Sequence, residues 1–314
     1  MRGFWWVWLL AAWAGPAWAQ SLEEAPVGGG LTLPYYSAGL RAAPDILVAV
    51  QGYVRDANRT FDAAAKAAAA AGHGGDTLIV APIFQVPDKP GEKCSFPGVP
   101  KAAPGDALWR CGDWSDGGRA RNGAVTSFQA MDRLIAGLLA QDEAARVVTV
   151  AGFSAGGQFV QRYAAFAAVP AGVRIRFVVA DPSSFLYFDS FRPEPGAAAC
   201  PGYNDWKFGL GGLPSYLGRD AAAARAAYAA ADVSYLEGAL DDSAGPGTAY
   251  KLLSRSCGAA LQGPFRLQRG QAYAAYDAKY LAHGAHKLMI VPGCGHSVSC
   301  VFPNAAARAA LFGD

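Results

Sequence analysis

The chain has 314 residues, 52% of them hydrophobic and 17% charged, so it can bury a large core without relying on its six cysteines. Its net charge is +2 and it contains no basic block, which leaves out the electrostatic footprint of nucleic-acid binding. The four histidines and six cysteines fall at no spacing that builds a four-ligand zinc site or a C-x-x-C redox pair, so neither metal nor cofactor is expected.

The first residues read MRGFWWVWLLAAWAGPAWAQS. Arg2 supplies a minimal positive region, and an apolar run follows from Phe4 to about Ala14. Gly15-Pro16 breaks that run, and Ala17-Trp18-Ala19 is a small-x-small cleavage site. This is the pattern of a secretory signal peptide over residues 1–19, leaving residues 20–314 as a single mature domain. An uncleaved anchor is the competing reading, because the run is only just too short to span ~30 Å of hydrocarbon. All six cysteines lie beyond residue 19, and an even number in an exported chain points to disulfides and to a periplasmic or extracellular location. No later stretch is long and apolar enough to cross a membrane.

Short apolar runs then alternate with helical stretches. DILVAVQG (45–52) reads as a strand, RTFDAAAKAAAAAG (59–72) as a helix and DTLIVAPIF (76–84) as the next strand. A long polar loop runs from Gln85 to about Gly123, before a helix over 124–141 with Phe128, Met131, Leu134, Ile135 and Leu138 on one face. A strand (145–154), a helix (156–168) and another strand (174–184) follow. After a long insertion come a strand (233–242), a helix (271–283), a strand (286–296) and a closing helix (304–313). Continuous apolar strands alternating with helices predict an α/β fold, a doubly wound, mostly parallel sheet with helices on both faces. The insertion, 185–232, is rich in proline, glycine and aromatic residues and too long for a plain connection. It reads either as a lid or pocket wall, or as a structural excursion tied down by Cys200.

The chemistry is carried by VVTVAGFSAGG (147–157). Gly152-Phe153-Ser154-Ala155-Gly156 fits G-x-S-x-G, and it lies between a strand and a helix, the context that gives this short motif meaning. A sharp strand-to-helix turn crowds its flanking positions, which need glycine, and lifts the Ser154 hydroxyl to the sheet edge. Serine needs a base to take its proton. His73 sits in a glycine-rich turn, and His283 and His286 flank the start of the last strand, at the far end of the sheet. His296 follows that strand and is the well-placed base. The acid that orients it is expected at Asp241, which gives the chain order Ser…Asp…His, with Asp242 and Asp181 as alternatives. The oxyanion donors are expected to be the backbone N–H groups of Ala155 and Tyr53, the latter in the loop after the first parallel strand. Arg55 and Asp56 are expected to pair or cap rather than touch substrate.

Together these residues resemble the α/β-hydrolase superfamily, from about Leu31 to the end of the chain. More narrowly, AGFSAGGQFVQRYA, ADPSSFLYF, YNDWKFGLGGLPSYL and CGAALQGPFRLQRG resemble a group of poorly characterised exported bacterial and fungal α/β-hydrolases. The resemblance implies acyl transfer through a covalent acyl-enzyme and no particular substrate. Gln51-Gly52 stands where many relatives have His-Gly, and Phe153 where many have histidine. Neither change removes a required group, since the donors are backbone N–H groups. The HGGG motif of hormone-sensitive-lipase-like esterases is missing, which argues for a single-glycine oxyanion loop.

Local closure pairs the cysteines as Cys94–Cys111, Cys200–Cys257 and Cys294–Cys300, one of 15 possible sets. The last pair would clamp the loop that carries His296. Phe84, Trp114, Phe153, Phe185 and Trp206 are expected to line an apolar acyl or aryl pocket. The reading that results is an exported serine hydrolase with no cofactor, acting on a small-molecule or polymeric carboxylic ester. A serine peptidase or amidase of the same fold is an alternative, and a catalytically inactive binding protein is another.

Overall fold

The computed structural model describes residues 20–88 and 94–313, so the expected signal peptide lies outside the described residues. Eight strands form one sheet: β1 (Ser21–Gly28), β2 (Leu31–Ala38), β3 (Asp45–Val50), β4 (Thr77–Pro82), β5 (Val147–Phe153), β6 (Arg174–Ala180), β7 (Asp232–Gly238) and β8 (Lys287–Val291). The longer helices are α1 (Ala57–Ala71), α2 (Ser127–Gln141), α3 (Ala155–Tyr163), α4 (Ala221–Ala230) and α6 (Arg266–Tyr280). The shorter ones are α5 (Cys257–Ala260), α7 (Val298–Val301) and α8 (Arg308–Phe312).

The strand order is β1-β2-β4-β3-β5-β6-β7-β8. Strand β2 runs antiparallel to both its neighbours, and β4, β3, β5, β6, β7 and β8 pair in parallel. The central strands are buried on both faces, and their residues divide with period two. Ile46, Val48 and Val50 of β3 join one core layer with α2, α3 and α6, while Leu47 and Ala49 join the other with α1, α7 and α8.

The hairpin β1–β2 was not among the expected strands. It is polar at its edge and alternates in burial, and Gly28, Gly29 and Gly30 turn it with φ of 87°, 65° and 74°. Its register places Glu23 opposite Tyr35 and Pro34 opposite Glu24. Reading only continuous apolar runs passes over such a strand pair.

Several strands end sooner than the apolar runs suggest. Strand β6 stops at Ala180 because Asp181 turns the chain with a φ of 43°, and β7 stops at Gly238, where a Cβ would lie 2.7 Å from the Cys294 carbonyl oxygen. Helix α2 begins at Ser127, fixed by a capping box: Gln129 N–H donates to Thr126 Oγ1 (3.0 Å), and Thr126 N–H donates to Gln129 Oε1 (3.1 Å).

The parallel register decides where the site forms. Val50 pairs with Gly152, Phe153 with Ala180, Ala180 with Leu236, and Gly238 with Val291. The C-terminal ends of β3, β5, β6, β7 and β8 are therefore level. The loops that follow them gather Gly52–Asp56, Ser154, Asp181, Asp241 and His296 at one edge.

The excursion 185–232 packs down rather than over the site. Phe185, Leu186, Tyr187 and Phe188 are buried in the core. Farther along, Lys207 pairs with Asp116 (2.6 Å), and Trp206 Nε1 donates to the Asp116 carbonyl oxygen (3.2 Å). The Cys200–Cys257 bridge ties the excursion to α5.

Candidate active site

Ser154 sits between β5 and α3 with φ 60° and ψ −116°, a backbone conformation that L-residues rarely adopt. The neighbouring glycines make it possible. A Cβ on Gly152 would lie 2.1 Å from the Gly156 carbonyl oxygen, and one on Gly156 would lie 2.3 Å from that of Val50. Gly157 is as constrained, with the Ala180 carbonyl oxygen 2.5 Å from where its Cβ would be.

His296 Nε2 lies 2.9 Å from Ser154 Oγ, and its Nδ1 lies 2.7 Å from Asp241 Oδ2. Both ring nitrogens are thus engaged. Asp241, itself 1% exposed, binds Arg266 Nη1 through its other oxygen (3.4 Å), and the same nitrogen donates to the Thr248 carbonyl oxygen (2.7 Å). Burial pushes the His296 pKa below its ordinary value. The Asp241 hydrogen bond and charge oppose that shift, while the Arg266 and Arg59 guanidinium charges add to it. The imidazole is therefore neutral near neutral pH, the form that can accept a proton.

Of the three candidate acids, only Asp241 meets His296. Asp242 is exposed. Asp181 is fully buried, and its Oδ1 accepts from Gly238 N–H (2.8 Å). Burial first, then the Asp241 charge, raises the Asp181 pKa to about 7. Glu237, also fully buried, is pushed well above its ordinary value by burial and by Asp181. Two carboxyl groups thus stand behind the Asp241–His296 pair in a region of low dielectric. Asp181, Asp241 and His296 present atoms within 4.8 Å of one another. The two imidazole nitrogens in that cluster face Ser154 and Asp241.

The loop after β3 shapes the other side. Gly52 N–H donates to Asp56 Oδ1 (2.8 Å), which commits that amide and folds Asp56 back on its own loop. Arg55 is buried and reaches the Gln85 side chain and the Pro100 carbonyl oxygen. Tyr53 N–H and Ala155 N–H make no hydrogen bond within the described residues.

A cavity of about 110 Å3 opens at Ser154, bounded by Gly52–Val54, Arg59, Phe153, Ala249, Leu252, His296 and Val298. Of the five aromatics expected there, only Phe153 lines it, with its ring centroid 4.6 Å from that of His296. Phe84, Trp114 and Phe185 are fully buried core residues. Phe84 stacks on Trp114 at 5.2 Å, and Phe185 stacks on Tyr273 at 4.3 Å. Trp206 packs edge-on against Phe166 at 5.6 Å. The correction has a simple cause. These rings lie in or beside loops at the site edge, but they point into the sheet–helix layer, where burying a ring gains more than leaving it at a solvent-facing mouth. Arg266, Arg59, Ala249 and Leu252 were not singled out. Only contact across the fold distinguishes them, since nothing local marks an arginine as the partner of Asp241.

The three disulfides are formed: Cys94–Cys111, Cys200–Cys257 and Cys294–Cys300. The last closes a turn in which His296 N–H donates to the Gly247 carbonyl oxygen (2.8 Å). His286 is far from this site. It is buried between Asp277 (2.7 Å) and the Ala231 carbonyl oxygen (2.9 Å), near the starts of β7 and β8.

This strand order, with its antiparallel second strand and the serine turn after β5, is that of the α/β-hydrolase fold, and the chain has that fold. Among solved structures it is similar to a poly(3-hydroxybutyrate) depolymerase from Bordetella parapertussis, with a TM-score of 0.62 and 20% identity, over 93% of this chain and 90% of that one. It is likewise similar to poly(aspartic acid) hydrolase-1 from Sphingomonas sp. KT-1, with a TM-score of 0.61 and 20% identity, over 89% and 94% of the two chains. No family model matches the sequence, and no curated protein matches it.

Proposed function

We propose that this protein is an exported serine hydrolase that cleaves carboxylic esters through an acyl-enzyme. The observation that carries the proposal is the chain Ser154 Oγ–His296 Nε2–Asp241, with separations of 2.9 and 2.7 Å, on a turn held at a φ of 60°. In this reading Ser154 Oγ attacks the ester carbonyl carbon while His296 Nε2 takes the hydroxyl proton. Asp241 holds Nδ1–H and stabilises the imidazolium that forms. The two unengaged amides, Tyr53 and Ala155 N–H, receive the negative charge of the tetrahedral oxygen. His296 then gives the proton to the leaving alcohol, and a water molecule repeats the sequence to release the acid. Of the two fold neighbours, one is named for a polyester and the other for a polyamide, so a polymeric substrate is within the proposal. The three disulfides support an oxidising compartment, and no helix among the described residues is long and apolar enough to cross a membrane.

The test is active-site labelling with a fluorophosphonate, followed by mapping of the adduct, and turnover of p-nitrophenyl esters set against aminoacyl p-nitroanilides. Labelling at Ser154 with ester turnover is the expected result. Anilide turnover without ester turnover would make the protein an amidase, and folded protein that takes no label at Ser154 would overturn the hydrolase reading.

A further inference from the structure

The cavity at Ser154 is walled by apolar and backbone groups with one exposed charge, the guanidinium of Arg59. Arg59 lies in the first turn of α1, directly after the oxyanion loop. Its Nε and Nη2 donate to Ser299 Oγ and Ser297 Oγ, each at 3.3 Å, and among the described residues it makes no ion pair with a carboxylate. The other ionisable group in the wall, Asp56, is buried and accepts from Gly52 N–H; it feels the Arg59 charge but makes no ion pair with it. Lys251, the neighbour in sequence of the lining residue Leu252, is exposed and makes no ion pair among the described residues. Arg59 is thus an exposed cation in the wall of the cavity that opens at Ser154.

Arg59 stands close enough to His296 to disfavour its protonated form, the form that must build up as Ser154 attacks. Surface arginines are usually paired or fully hydrated, and two serine hydroxyls bring no negative charge to this one. A negative group carried in by the substrate would pair with the guanidinium and offset its contribution at His296, which is smaller than those of burial and Arg266. Arg59 and Ser154 line the same small cavity, so such a group would lie near the scissile bond.

We propose that the substrate of this site carries a carboxylate close to the bond that is cleaved, and that Arg59 binds it, making the protein selective for acidic esters over neutral ones of the same size. This inference rests on the hydrolase reading above. It excludes a purely apolar acyl group as the preferred substrate.

The experiment compares kcat/KM for the mono-p-nitrophenyl ester of succinate or glutarate with that for p-nitrophenyl butyrate, in the wild type, Arg59→Gln and Arg59→Lys. A charge-assisted pair at a partly solvated site predicts that the acidic-to-neutral ratio falls by roughly tenfold or more in Arg59→Gln. Arg59→Lys should retain most of the ratio, and added salt should lower it in the wild type, because the guanidinium is exposed. If Arg59 only braces the Ser297–Ser299 turn, both esters slow together and the ratio stays the same, which overturns the inference. A neutral fluorophosphonate run in parallel separates the two failures. Labelling of Ser154 with a ratio independent of Arg59 sinks this inference alone, whereas no labelling sinks the hydrolase reading with it.

Discussion

Ser154, His296 and Asp241 come from three separate strand ends, and the proposed mechanism gives each one role. Ser154→Ala should lower kcat by about five to six orders of magnitude, and Asp241→Asn by about ten-thousand-fold, because the wrong imidazole tautomer then faces the serine. Asp181→Asn should keep activity within about tenfold, since Asn can still accept from Gly238 N–H. Steady-state kinetics on one p-nitrophenyl ester ranks the three; a larger loss for Asp181→Asn than for Asp241→Asn would reverse their roles. The acid limb of kcat/KM against pH should have its midpoint below 6.5, because burial and the nearby guanidinium groups hold His296 neutral. Asp181 has a second signature. Its folded pKa is raised, from 3.8 to about 7, so the folded state holds a proton that the unfolded state has released across that interval. Stability should therefore fall as pH rises from about 4 to about 7, and Asp181→Asn should flatten that slope in urea titrations at several pH values.

At the scale of elements, the strand-to-helix turn after β5 and the packing of α6 on β7 are the tight points. Gly156→Ala would drive a methyl group into the Val50 and Gln51 carbonyl oxygens at 2.3 and 2.6 Å, both on rigid backbone. It should displace the turn and abolish labelling at Ser154 even where folded protein is recovered. Gly270 on α6 makes room for Glu237, whose Oε1 would lie 2.1 Å from an added Cβ. Gly270→Ala should cost about 1–3 kcal/mol of stability, read by chemical denaturation, because a buried carboxyl must move. The parallel strands were legible in the sequence because burial on both faces makes each a continuous apolar run. The β1–β2 hairpin was not, because an edge strand with one solvated face spreads its apolar residues among charged ones, as SLEEAPVG does.

At the scale of the whole molecule, the disulfides divide into two kinds. Cys200–Cys257 spans 57 residues and anchors the excursion that carries Tyr187 and Trp206 onto the core. Its removal should cost about 4 kcal/mol by the chain-entropy estimate. Cys294–Cys300 spans only 6 residues, for which the same estimate gives about 2 kcal/mol. Its loss should instead be felt in turnover, since the loop it closes holds His296. Replacing each pair with serines and measuring both Tm and kcat separates these effects. An unchanged kcat without Cys294–Cys300 would show that the bridge does not position the base.

That Ser154 and His296 would meet could be read from the sequence alone, because G-x-S-x-G between a strand and a helix leaves few ways to fold, and His296 was the histidine that followed a strand at the matching edge. Pairing the cysteines by nearest closure also needed only chain order. The walls of the cavity needed the tertiary structure. A ring in a loop can face solvent or core, and Phe84, Trp114 and Phe185 face the core because helices from distant parts of the chain cover them. That Asp241 rather than Asp181 meets His296 also needed it, because the turn at residue 181 aims Asp181 Oδ1 at Gly238 N–H. Arg59 and Arg266 acquire their places beside His296 and Asp241 only when strand ends level in the sheet bring segments up to about 240 residues apart into contact, and no local pattern in the chain encodes such a meeting.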